Sequence, residues 1–167
     1  MKPLVVCYSY TGKTKKICGR LAGKLKADFV EIREIVRPSM ISAYTRGGYL
    51  AINRGTTDIR PLKTDVGAYP VQIVASPVWA GNVPPAMNDY LREYDLIGKT
   101  VYGVLTCSAR AGNAAERLRE EIEKAGAKCP NVVVLREKDG DFKAVESGQK
   151  QFFLEDGLLV LRDGDRV

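Results

Sequence analysis

The strongest constraint on the fold of this chain is a repeated change of period. Short runs without a polar break, Leu4–Tyr8, Ile73-Val74-Ala75, Val101–Thr106 and Val132–Leu135, are separated by stretches whose apolar residues recur at helical spacing. A run of this kind suits a strand covered on both faces. Between them, Lys13–Lys26 sets Ile17, Cys18, Leu21, Ala22 and Leu25 on one helical stripe. Pro84-Pro85 followed by Met87, Tyr90, Leu91 and Tyr94 predicts a helix with proline in its first turn. Asn113 stands where it would cap another, with Ala115, Leu118, Ile122 and Ala125 inward and Gly126 as its stop. Val30-Glu31-Ile32-Arg33 alternates instead, as an edge strand does. Strand-helix alternation at this spacing predicts an α/β fold with a doubly wound parallel sheet and helices on both faces. Its ligand crevice would lie at the carboxyl ends of the strands.

A chain of 167 residues is one domain of ordinary size, and its 45% hydrophobic and 28% charged content is that of a soluble globular protein. The longest apolar runs, such as Leu4–Tyr8, fall far short of the about 20 residues a membrane helix needs. Met1-Lys2-Pro3 leads directly into the first strand without a signal-peptide pattern, so a cytoplasmic location and no membrane partner are expected. The net charge of +6 is uneven: residues 137–167 hold eight acids and five bases, leaving an excess of bases in 1–136. No basic run occurs, so the excess reads as a solvated surface rather than a nucleic-acid site. A surface that receives an acidic protein partner or an anionic substrate is the other reading.

The chain contains no histidine, which excludes serine-histidine and cysteine-histidine catalysis. Cys7, Cys18, Cys107 and Cys129 show no C-x-x-C and no metal-like clustering, and no metal site is expected. Chemistry is therefore assigned to a bound cofactor rather than to catalytic side chains.

Three loops that follow strands carry the remaining information. In the first, Ser9-Tyr10-Thr11-Gly12-Lys13-Thr14 turns from the strand into the first helix, with three hydroxyls available to a phosphate and Gly12 permitting close backbone approach. It matches neither G-x-x-x-x-G-K-[ST] nor G-x-G-x-x-G, and a Ser/Thr/Gly turn also caps helices for structural reasons. The second, Ser76-Pro77-Val78-Trp79-Ala80-Gly81, holds the only tryptophan, off any helical or strand stripe. Stacking on a flat ligand and lidding the sheet end both explain it. The third runs Thr106-Cys107-Ser108-Ala109-Arg110-Ala111-Gly112, small enough for main-chain groups to reach a planar ring, with Arg110 facing that ring or water.

Together these loops resemble those of the flavodoxin family, over roughly residues 3–136. The resemblance implies a five-stranded parallel sheet of order 2-1-3-4-5 in an FMN-binding domain over 1–136, with 137–167 an atypical C-terminal extension of the same domain. It implies FMN as cofactor, its phosphate held by Ser9, Thr11 and Thr14 with the backbone of 10–14. Trp79 would stack on the isoalloxazine, and the peptide groups near 78–81 and 106–112 would meet its polar edges. Unlike many flavodoxins, Thr106–Gly112 has no aromatic residue to close the outer flavin face. Three arrangements follow: an open face, a shield by Arg110, or a cover from Tyr44 or Tyr49 in the long segment 36–68. The pI near 9.2 also departs from acidic relatives, and residues 35–65 hold five bases against two acids. Bases close to the flavin would make its reduced anion less disfavoured.

Two stretches do not fit the simple alternation. Met40–Asn53 has the makings of a helix that Gly47-Gly48 weakens. Ala144–Asp156 offers a last helix, whereas Phe152-Phe153-Leu154 and Leu158–Leu161 before Asp163-Gly164-Asp165 read as short strands and a turn. Three functions stand in order: an electron carrier between redox protein partners, acidic ones among them; an NAD(P)H-dependent reductase of quinones or similar flat acceptors; and a binding module of this fold without redox chemistry. The oligomeric state stays open, with a dimer through 36–68 or the tail as one reading.

Overall fold

The computed structural model describes residues 2–138, 141–145, 151–153 and 160–162. The chain runs β1 (Leu4–Tyr8), α1 (Lys13–Leu25), β2 (Asp28–Ile32), a helical segment of α2 (Met40–Ser42), a π-helical turn (Ala43–Gly47) and α3 (Gly48–Ile52), then β3 (Val71–Pro77), α4 (Pro85–Glu93), β4 (Thr100–Cys107), α5 (Ala114–Lys124), β5 (Val132–Lys138) and β6 (Asp141–Val145). Two short strands, β7 (Gln151–Phe153) and β8 (Val160–Arg162), pair with each other in a separate antiparallel ladder.

The main sheet has the order β2-β1-β3-β4-β5-β6. Its first five strands are parallel, in the expected arrangement, and β6 adds an antiparallel edge that the sequence reading lacked. The same strand corrects the alternative of a last helix from Ala144: Ala144 pairs with Leu135 in the ladder. The aromatic and β-branched residues of Asp141–Val145 favour that pleated surface. Residues 146–150 and 154–156 of that expected helix, and the turn at 163–165, lie outside the described residues.

The unbroken apolar runs divide between two cores, as the pleat requires. Leu4, Val6 and Tyr8 join Met87, Tyr90, Leu118 and Ile122 beneath α4 and α5. Val5 and Cys7 join Ile17, Cys18, Leu21 and Leu25 of α1 on the opposite face. All four cysteines are buried and free. Asn113 is the N-cap of α5 by position, but its side chain makes no capping bond. The long excursion after β2 is pinned by the Glu34–Ile59 bridge and by the Ile59 N–H, which donates to Asp89 Oδ2 at 3.2 Å. No helix among the described residues is long and apolar enough to cross a membrane.

Gly47-Gly48 does not interrupt the helical segment. Both residues have right-handed helical dihedrals, and both are buried along with Ala43 and Ala51. The segment lies over the carboxyl ends of the strands with its smallest residues inward.

Candidate functional site

The three loops converge on one cavity of about 480 Å³ at the carboxyl edge of the sheet. In the first loop Gly12 is left-handed, with φ 89°, and its N–H donates to Ser9 Oγ at 3.1 Å. No side chain caps α1, which starts at Lys13, so the free amides of its first turn and its positive dipole end open toward the loop. Thr11 and Lys13 line the cavity. Thr14 also lines it but is buried, its Oγ1 lying 2.8 Å from Thr106 Oγ1, so a hydroxyl pair ties the first loop to the third. Ser9 and Gly12 shape the turn without lining the cavity. Lys13 Nζ donates to both carboxylate oxygens of Glu137, at 2.8 and 2.7 Å.

The second loop is a tight turn. Trp79 and Asn82 exchange N–H···O bonds of 3.0 and 2.9 Å, with Ala80 and Gly81 both at positive φ between them. Two consecutive left-handed residues make a type I′ turn, which only a small central pair tolerates well. The turn aims the indole into the cavity, and neighbouring groups hold it there. Tyr8 and Tyr10 meet it edge-on with centroids 5.9 and 5.8 Å away, each such pair being worth about 0.5–1.5 kcal/mol beyond its burial. On another side Gly47 lies so close that a Cβ there would sit 2.6 Å from Trp79 Cζ3. Tyr10 is itself anchored: its hydroxyl donates to Pro38 O at 2.9 Å, and the Arg37 guanidinium lies 5.1 Å over its ring. Tyr8 donates to Glu34 Oε2 at 3.2 Å, and burial raises both the Tyr8 phenol and the Glu34 carboxyl above their ordinary ranges.

The third loop continues the β3–β4 ladder, with the Val78 N–H donating to Thr106 O at 2.8 Å. Thr106, Cys107 and Ser108 line the cavity, together with Pro77, Val78, Trp79 and Ala80. Burial raises the Cys107 thiol above its ordinary range, which keeps it protonated at neutral pH. Ala109 and Arg110 are exposed and do not line the cavity, nor do Ser76, Gly81 and Gly112. Ser76 is buried at the end of β3. Gly81 and Gly112 clasp the two loops: a Cβ on Gly112 would stand 3.0 Å from Gly81 Cα.

Several lining residues escaped the sequence reading. Met40, Ala43 and Gly48 come from the helical segment, and Glu137 and Phe142 from the last two strands of the sheet. Of the residues named for the alternative covers, Tyr44 lines the cavity, and Tyr49 and Arg110 do not. The overlooked signal was the spacing of Ala43, Gly47 and Ala51, small residues four apart on one helical face. The bases of 35–65 are not gathered at the cavity. Arg37 is at its edge, whereas Arg54 pairs with Glu120 and Glu121 on α5.

No family model matches the sequence, and no curated protein does either. Solved structures do match. A candidate flavoprotein from Bacteroides eggerthii superposes with a TM-score of 0.71 at 22% identity, covering 83% of this chain and 91% of that one. A flavoprotein in complex with FMN from Lactobacillus acidophilus gives 0.67 at 19% identity, over 81% and 92%. A flavodoxin from the domain Archaea gives 0.53 at 14% identity, over 83% and 87%. The chain has the flavodoxin-like fold.

Proposed function

We propose that this chain is an FMN-binding, flavodoxin-like electron carrier. The observation that carries the reading is the convergence, around one cavity, of an uncapped helix start, a fixed indole and a small-residue loop. The volume of about 480 Å³ lies in the range of small-ligand sites. The residues present suit the group. Amides of the first turn of α1 and the Thr11 hydroxyl would take the phosphate, Trp79 would flank the ring system, and peptide groups near 78–80 and 106–108 would meet its polar edge. The resemblance of the fold to a flavoprotein solved with FMN supports the same ligand. Because Lys13 is already held by Glu137, the phosphate would be met by amides and hydroxyls more than by a free ammonium. In this reading residues 1–136 are the FMN-binding unit. Residues 137–167 extend the same domain, and Glu137 and Phe142 bring that extension to the cavity.

Bound FMN supplies the redox chemistry. The chain holds and orients it, and the turn at Trp79 and the Thr14–Thr106 pair fix the geometry of the wall. Redox proteins are the proposed partners, and the basic excess of 1–136 suits acidic ones. One observation favours the second reading, a reductase of quinones or similar acceptors using NAD(P)H: Thr106–Gly112 carries no aromatic residue to close the outer flavin face. Stepwise reduction of the FMN-loaded protein, followed by absorbance, separates the two. Two resolved one-electron steps with slow NAD(P)H oxidation support the carrier. Rapid NAD(P)H oxidation coupled to quinone supports the reductase, and failure to take up FMN overturns both.

A further inference from the structure

The helical segment 40–52 is amphipathic in the inverted sense. Its small residues Ala43, Gly47, Gly48 and Ala51 face the domain, while its large apolar ones face outward. Val36 and Ile41 are 78% exposed and Tyr44 80%, and Met40, Tyr49 and Ile52 are each more than half exposed. At roughly 200 Å² per whole residue these six present about 800 Å² of largely apolar surface, above the roughly 300–600 Å² of the largest patch on a typical monomer. It also matches the about 800 Å² per partner of a standard protein interface.

We infer that this face docks against the same face of a second copy of the chain, in a two-fold dimer. Charge argues for self-association over other occupants. Residues 35–57 contain no acid, and their arginines are largely engaged within the chain. Arg37 donates to Tyr10 O and lies over its ring, and Arg54 pairs with Glu120 and Glu121. Arg54 alone of the three is ion-paired, and only Arg46 makes no ion pair, side-chain hydrogen bond or ring contact among the described residues of that stretch. Two such faces therefore meet with little like-charge opposition. For the same reason the patch offers little attraction to an acidic protein or an anionic bilayer, where each available cation contributes about 1 kcal/mol. The contact is isologous, so the apolar area of one copy is met by equal apolar area on the other. Met40 and Tyr44 belong both to this face and to the cavity lining, so the partner would complete the cavity's outer rim.

The test is light scattering of the full chain, without flavin, from 1 to about 100 µM, on the wild type and on Val36→Glu and Ile41→Glu. Neither substituted residue lines the cavity, and both are exposed, so the variants keep the packed core. The expected result is a dimeric mass that persists in 0.5 M NaCl and a dissociation constant raised about 30-fold or more in either variant. A monomeric wild type at 100 µM overturns the inference, as does a dimer that neither substitution weakens. Dissociation by salt alone overturns it too, since that marks a charge-driven contact with a different surface. Selective attachment of the monomer to anionic vesicles, lost in both variants, assigns the face to a membrane instead. Mass is read on the flavin-free chain, so a failure of the FMN reading leaves this test intact. Where FMN does bind, its quenching by iodide should rise in the monomeric variants.

Discussion

Replacing Gly47 by alanine tests whether the helical segment positions Trp79 by close packing. A Cβ at 47 would lie 2.6 Å from Cζ3 and 3.1 Å from Cε3 of the indole, whereas ordinary contact begins at 3.4 Å. One of the two groups must therefore move by about 0.8 Å, and forced overpacking of this kind costs about 1–3 kcal/mol. Against that, Gly→Ala inside a helix contributes about 0.5–1 kcal/mol in favour of folding. Gly48 supplies the control. It has the same helical conformation, and a Cβ there would meet only Ala80 Cβ, at 3.9 Å. Gly48→Ala should thus stabilise by about 0.5–1 kcal/mol, and Gly47→Ala should be less stable than it by about 1–3 kcal/mol. Urea unfolding read by the fluorescence of Trp79, the only tryptophan, gives both values. If the displaced indole loses its contact with FMN, affinity falls by about 5- to 100-fold in Gly47→Ala, whereas Gly48, which lines the cavity, serves as the control for stability alone. Equal stability in the two variants and an unchanged FMN affinity in Gly47→Ala would show that Gly47 does not hold the indole, and the packing argument would fail.

Thr14→Val or Thr106→Val alone leaves a buried hydroxyl without its partner and should cost about 1–3 kcal/mol, while the double valine variant should lose less than the sum; urea unfolding of the four proteins measures the coupling. Glu137→Gln releases Lys13 from an exposed pair worth about 0–1 kcal/mol. Stability should barely change, but FMN affinity should rise about three- to tenfold with no gain for riboflavin, by fluorescence titration. Glu34 is expected to make stability fall with pH. Its carboxyl is raised by burial, so its contribution is fully present below the ordinary glutamate pKa of about 4.3 and is lost as pH rises through the higher folded value. Thermal midpoints from pH 4 to 8 should therefore decline more in the wild type than in Glu34→Gln, and parallel profiles would count against the burial argument. Gly112→Ala combines a left-handed alanine with a contact 3.0 Å from Gly81 Cα and should loosen the second and third loops together; the readout is a loss of FMN affinity with a stability loss of about 1–3 kcal/mol.

The parallel core could be read from the sequence because its signal is the amount of apolar surface to be covered. Leu4, Val6 and Tyr8 serve one core and Val5 and Cys7 the other, so an unbroken run was the only pattern compatible with both faces. The turn of the first loop could be read for a different reason: its left-handed position before the helix favours glycine, and Gly12 stands there. β6 was missed because the acids and bases of 137–145 mask a short alternating strand. Its register becomes fixed only by pairing with β5.

A helix over 40–52 was legible, but the inward turn of its two glycines was not, for a more general reason. Hydrophobic periodicity assumes that the larger side chains point inward, and here they point outward. Helix propensity counts two successive glycines against a helix, yet at 47 the missing Cβ is what lets the backbone lie against Trp79. That requirement is set by an indole thirty-two residues further along the chain, and nothing local records it. Small residues four apart on a helix do record close approach, but without naming what approaches. In 40–52 they were the only inward signal, and the large residues outside them follow from it: a helix drawn this close to a wall has room for no other face to carry its apolar bulk. The cavity wall and the exposed apolar surface are therefore consequences of one packing choice, and a substitution that pushes the segment off Trp79 should disturb both.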